Sequence, residues 1–272
     1  MPDFSRLCIH TETVKPLHIE EVAEKFARHG IPGVSVWRQT LENRDPEKVG
    51  QILRAHGLHI VSLVRGGFFS STDPAKRITA VEENRRAIVE AVKLGAPLLV
   101  LVCGSDPAQS LDISRVQIGD AIRKLMPLAE SQKIKLGIEP LHPMYADTRS
   151  AIITMKQAND MVEEIDSPFL GIVVDVYHTW WDENLEHEIK RAGRKGKIFA
   201  FHISDWKVPT VDILLDRGLM GEGCIPIRQI RSWVEKAGFD GFLEVEIFSE
   251  RYWAIDQEEY LKMILNAYEK FV

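Results

Sequence analysis

Residues 169–178 read FLGIVVDVYH. From Phe169 to Val174 every position is apolar or glycine, and the run then meets a carboxylate and an imidazole, Asp175 and His178. An unbroken apolar run of this length fits a parallel strand buried on both faces, whereas a half-exposed strand alternates. The same construction recurs at 134–139 (IKLGIE), 198–204 (IFAFHIS) and 242–248 (FLEVEIF). Upstream, 6–10, 33–37, 59–65 and 98–104 are further apolar runs. That makes eight candidate strands, the number that closes a parallel sheet into a barrel.

The segments between them have helical spacing. Ile19, Val22, Ala23, Phe26 and Ala27 share one face, and Gly30 stops the pattern. Asp45-Pro46 and Asp73-Pro74 each place a capping carboxylate before a proline suited to a first turn. Pro226 opens another helix, and a last one covers roughly 257–270. The longest irregular stretch, 205–224, follows the seventh strand, and connections of that length are usually functional. No linker interrupts the alternation, so the expected fold is α/β: one (β/α)8 TIM barrel over residues 1–272. An open doubly wound sheet is the rival. It calls for a glycine-rich phosphate turn after the first strand, where this chain has His10-Thr11-Glu12-Thr13.

Composition narrows the function. The chain has 272 residues, 45% of them hydrophobic, enough for one large core. It has no run near the roughly 20 apolar residues that span a bilayer, and its start, MPDFSRLCIHTET, lacks the regions of a signal peptide. Three widely spaced cysteines, Cys8, Cys103 and Cys224, suit free thiols in a reducing compartment, so a cytoplasmic location is expected. A formal charge of −6 without a Lys/Arg block argues against a nucleic-acid partner.

Four strands end in groups able to bind a metal: Glu139, Asp175, His202 and Glu246. In a barrel the C-terminal strand ends converge on one mouth, and these four strands are consecutive. Three carboxylates and one imidazole form an oxygen-rich set that suits one divalent ion, Mn²⁺ first, then Mg²⁺, Co²⁺ or Zn²⁺. Glu244 lies two residues before Glu246 and shares its face of the strand, so periodicity alone does not choose between them.

The motifs IEPLHP around Glu139, VVDVYH around Asp175, FHISD around His202, RGLMGEG at 217–223 and EVEIF around Glu246 resemble the xylose isomerase-like TIM-barrel superfamily along the whole chain. That superfamily includes sugar isomerases, D-tagatose 3-epimerase relatives and endonuclease IV. The resemblance implies a metal held by Glu139, Asp175, His202 and Glu246, and it prefers Glu246 to Glu244. It also implies substrate-binding roles for His178 and Arg217. One position departs from the epimerase pattern: where a second glutamate stands six residues after the first ligand, this chain has Tyr145, with His142 nearby. A looser resemblance, to metal-dependent C-glycoside deglycosidases, implies instead that His142 is a base.

The reading that follows is a metal-dependent isomerase or epimerase of a sugar or keto-sugar, with Glu139 and Glu246 as candidate bases. The alternative is a lyase acting on 3-oxo-glycosides by β-elimination, with His142 as base. Among mouth residues, Trp37 and Trp206 are candidate sugar-stacking aromatics, and Arg65 could bind an oxyanion or remain a solvated rim residue. His10 could face the mouth, although a lone histidine more often reads as a packing residue, and Tyr252 and Trp253 read as a lid or a subunit contact. A homo-oligomer is expected, or a small partner subunit if the lyase reading holds. Endonuclease-type DNA repair requires extra histidines on the early strands and a basic surface. Strands two and three end in Trp37 and Arg65 instead.

Overall fold

In the computed structural model, which describes residues 3–272, eight parallel strands close into a barrel in chain order. They are β1 (Leu7–His10), β2 (Gly33–Trp37), β3 (His59–Gly67), β4 (Leu98–Val102), β5 (Lys135–Ile138), β6 (Leu170–Asp175), β7 (Ile198–Ile203) and β8 (Leu243–Val245). Residues 1 and 2 of the expected barrel lie outside the described residues. Helices pack outside the strands and bury their apolar stripes: Val22, Ala23 and Phe26 in Ile19–Arg28, and Ile227, Ile230 and Val234 in Ile227–Lys236. Both Asp-Pro signals are helix starts, with Asp45 accepting from the Glu47 N–H and Asp73 from the Ala75 N–H. None of the described helices is long and apolar enough to cross a membrane.

The observed strands differ from the sequence reading mostly at their ends. β5 and β8 stop before Glu139 and Glu246, so those carboxylates stand on the first residues of loops. The ladder still reaches them: Glu139 N–H donates to the Leu101 carbonyl and Glu246 N–H to that of Ile203, each at 3.1 Å. β3 runs two residues past the expected 65 to Gly67. Its register against β4 shifts between Val64 and Gly66, leaving Arg65 as the extra residue of a bulge. Bulges re-aim side chains at barrel rims, and this one turns an arginine toward the mouth.

Gly67 makes that extension possible. Its φ is +111°, and a Cβ there would lie 1.8 Å from the Val102 carbonyl oxygen. The buried Asn84 side chain then completes the strand end, accepting from Gly67 N–H at 2.6 Å and donating to its carbonyl at 2.8 Å. Gly57 also has positive φ (+79°) but faces open space. We therefore expect Gly67→Ala to cost about 3 kcal/mol or more, from strain plus a backbone clash, and Gly57→Ala only about 1 kcal/mol. Urea midpoints at unchanged m-value measure both; equal losses would show that the approach of β3 to β4 is not constrained as described.

Candidate metal centre

Inward positions of β6, β7 and β8 share a level, because Asp175 pairs with His202 and His202 with Glu244 in register. Glu246 sits one pleat higher, toward the mouth, and Glu139 leaves β5 beside it. One ligand atom each from Glu139, Asp175, His202 and Glu246 lie within 4.8 Å of one another, and all four residues are buried. His202 Nδ1 is 3.0 Å from Glu139 Oε1 and 3.9 Å from Glu246 Oε2. Its Nε2 has no hydrogen-bond partner and lies 3.7 Å from Glu244 Oε2, outside bonding range.

The electrostatics call for a cation. Burial, and then the Glu246 and Glu139 charges, push Asp175 up to about 7, against the pull of Arg217. Burial disfavours a charged His202, yet Glu139, Glu244 and Glu246 around it raise it to about 10. Carboxylates kept this dry and this close repel unless positive charge stands among them. Three oxygen ligands and one imidazole, with Nδ1 turned to the carboxylates, fit a single divalent ion.

Arg217 supplies one fixed positive charge. Its Nη1 donates to Glu246 Oε2 at 2.9 Å and lies 3.3 Å from Asp175 Oδ2. Its Nη2 meets His178 Nε2 at 3.2 Å. Because arginine only donates, that His178 nitrogen accepts and its Nδ1 carries the proton. His178 Nδ1 is buried with no partner, and burial together with the Arg217 charge holds the ring well below its usual pKa. A neutral imidazole with a free N–H lining the cavity is a ready donor to a hydroxyl or carbonyl oxygen.

The motif RGLMGEG positions that arginine. Asp205 and Gly218 exchange backbone hydrogen bonds, and Arg217 N–H donates to the Phe248 carbonyl. The Asp205 carboxylate accepts from the N–H groups of Trp206, Gly221 and Ile225. A Cβ on Gly223 would fall 2.1 Å from the Trp206 carbonyl oxygen, so the turn closes only on glycine. Glu222 accepts from Leu219 N–H and the Tyr252 hydroxyl, tying the loop down. Tyr252 stacks on Tyr260 at 4.7 Å, and Trp253 donates to the Glu12 carbonyl, so both brace the chain from within.

Beneath the metal-competent layer lies a polar floor that the sequence reading missed. Ser62 Oγ donates to Ser35 Oγ at 3.0 Å, and Ser35 Oγ to Glu244 Oε2 at 2.5 Å. His10 Nε2 meets the same oxygen at 3.2 Å, while its Nδ1 is 3.0 Å from Glu246 Oε1. His10 also stands edge-on to His202, with ring centroids 4.6 Å apart, and so belongs to the site rather than to plain packing. The available signal was a serine or histidine at an inward position of an otherwise apolar strand: Ser35, Ser62, His10.

The remaining expected residues divide. A small cavity is lined by Glu139, Glu246, His178, Arg217 and Trp37 among others. Trp37 lends its apolar face, since its Nε1 is committed to His10 Nδ1. His142 and Trp206 are not among the lining residues. They stack on each other at 5.0 Å on the rim, with Trp181 edge-on to His142, and His142 Nδ1 accepts the Met144 N–H. Tyr145, the departure from the epimerase pattern, reaches across to the loop 205–224: its hydroxyl and that of Tyr177 donate to the Ile213 carbonyl at 2.5 and 3.0 Å. Leu214, the next residue, lines the cavity, so this latch holds the loop over the mouth. Free thiols are as expected, although Cys224 is exposed.

The chain matches the family described as xylose isomerase-like TIM barrel over residues 23–268 and belongs to it. It is 40% identical to protein SMc04130 from Sinorhizobium meliloti 1021, with a TM-score of 0.94 over 98% of each chain. An inosose isomerase of Bacillus licheniformis is 24% identical over 275 residues, covering 94% of each chain. The crystal structure of IOLI protein with a binding zinc atom is 21% identical, with a TM-score of 0.83 over 97% of this chain and 96% of that one.

The double variant Tyr145→Phe/Tyr177→Phe removes both latch donors, each worth about 1 kcal/mol. We expect amide exchange across 207–216 to quicken by about 30-fold while the barrel strands stay protected. Unchanged exchange in that segment would show that the loop is held by other contacts.

Proposed function

We propose that the protein is a divalent-metal-dependent isomerase or epimerase acting on a sugar or keto-sugar, with Glu139, Asp175, His202 and Glu246 as the metal ligands. The observation that carries this reading is the convergence of four buried ligand atoms within 4.8 Å at the C-terminal mouth of the barrel. The inosose isomerase relative points to the same reaction class. Mn²⁺ suits the oxygen-rich donor set best, and Zn²⁺ remains compatible with it.

When bound, such an ion supplies Lewis-acid polarisation of a substrate carbonyl or hydroxyl oxygen. The chain's own groups do the rest. Arg217 and the free N–H of His178 orient substrate oxygens in the cavity. The Trp37 face packs on the C–H face of a sugar ring. Glu139 and Glu246 line the same cavity and are the carboxylates placed to take a proton from the carbon beside the carbonyl and to return one. Against burial, His10 first, and then His202 and Arg217, hold Glu246 ionised, well below the usual carboxylate range, as a base requires. Loop 205–224, latched by Tyr145 and Tyr177, keeps bulk water away from that carbon.

The lyase reading assigns the base to His142. Its place on the rim, stacked on Trp206 and braced by Met144 N–H, favours a wall-forming role instead.

Two measurements test the proposal together. Elemental analysis should find the metal lost from folded Asp175→Ala and Glu139→Gln. In D₂O, an NMR screen of free ketoses, aldoses and 3-oxo-glycosides with added Mn²⁺ should show exchange of a C–H beside a carbonyl. In metal-replete Glu246→Gln that exchange should fall by about 10²–10⁴-fold, and in His142→Asn by less than about 10-fold. Full metal occupancy in both ligand variants would refute the site. The reverse order of the last two variants would move the base to His142 and favour the lyase.

A further inference from the structure

The cavity shared by Glu139, Glu246, His178 and Arg217 is also lined by Arg65 and Arg149. These two differ from the other arginine there. Arg217 is engaged with Asp175 and Glu246, and Arg38 on the neighbouring rim with Glu83 and Glu90. Among the described residues, Arg65 and Arg149 have no carboxylate within ion-pair distance and donate no side-chain hydrogen bond. The Arg65 Nε is buried without a partner.

Each is nonetheless held in place. Arg65 is the bulge residue of β3, and its guanidinium lies 4.5 Å from the Phe68 ring centroid and 5.9 Å from that of Trp37. Arg149 is fixed through its carbonyl, which accepts from Gly104 N–H at 2.8 Å, and its guanidinium sits over Tyr145 at 5.8 Å. Burial first, and then the like charges of Arg149 and Arg38, bring Arg65 down to about 10, outweighing Glu12 and Glu139. Arg65 also lines the open groove beside the helix Pro74–Leu94, so it stands in the wall between that groove and the cavity.

Two positioned guanidinium groups without a counterion, at the mouth of a site whose other arginine is already paired with carboxylates, leave positive charge for a ligand to neutralise. We infer that the substrate carries an oxyanion, a carboxylate or a phosphate, which Arg65 and Arg149 bind while its carbonyl end lies at the Glu139–Glu246 side of the cavity. The inference rests on the sugar-enzyme reading for the second half of that placement. It narrows the substrate from neutral sugars to sugar acids or sugar phosphates.

The test is calorimetric titration of the full-length Mn²⁺-loaded protein with two matched series: D-fructose, D-fructuronate and D-fructose 6-phosphate, and D-glucose, D-glucuronate and D-glucose 6-phosphate. In at least one series a charged member should bind at least about 10-fold tighter than its neutral partner. The member that does so names the anion. Arg65→Gln and Arg149→Gln should each remove about 10-fold of that preference and leave the neutral sugar's Kd unchanged, a split that a structural role does not produce. Arg149→Gln, on a loop, keeps the test open if Arg65→Gln does not fold. Neutral sugars binding as tightly in both series, no binding by any member, or a preference unchanged in both variants would overturn the inference. Failure to take up Mn²⁺ refutes the metal reading alone, because the same titrations in EDTA still read the arginine pair.

Discussion

The structure is organised around mutual repulsion among carboxylates confined in a dry barrel mouth. Glu139, Asp175, Glu244 and Glu246 are all buried, and each ion costs several kcal/mol to bury unless positive charge and hydrogen bonds surround it. The rest of the mouth supplies those partners. Arg217 bridges Asp175 and Glu246, and His202 faces Glu139. Against burial, His10 first, and then His202 and Ser35, hold Glu244 below its usual pKa. A divalent ion among the upper three carboxylates would supply the remaining compensation and turn the repulsion into a binding site.

That constraint also explains why an irregular loop belongs to the centre of the site. Arg217 stands on the connection after β7 and reaches the acids only because the 205–224 segment folds back over the mouth. Asp205, Gly218, Gly221 and Gly223 shape that return through backbone contacts. The same segment presents the Ile213 carbonyl to Tyr145 and Tyr177. Positioning the guanidinium and covering the mouth are thus one structural act.

The barrel was readable from apolar runs because a parallel strand buried on both faces leaves little room for polar residues. The four metal-competent residues were readable because they close those runs, where a barrel places its chemistry. Glu244 and Glu246 share a face, and alternation left them unresolved; the structure separates them by depth, Glu244 in the floor with Ser35 and His10, Glu246 among the metal-competent residues of the mouth. The role of His10 in the site was not decided by the sequence because Glu244 on β8 and His202 on β7, which it meets, lie 234 and 192 positions away. Arg149 and Tyr145 act from a loop whose course no periodicity encodes, and the bulge that aims Arg65 depends on Gly67 meeting Val102.

The central claim is that one ion is held by three carboxylates and a single imidazole. A second grouping, His10, His202 and Glu246, also lies within reach of one ion and has two imidazoles. Pulsed EPR of EDTA-stripped protein titrated with Mn²⁺ separates the two most directly. The account predicts one tight site per chain with coupling to one directly bound histidine nitrogen, lost in His202→Gln and kept in His10→Gln. No tight site, or two bound histidine nitrogens, would contradict it.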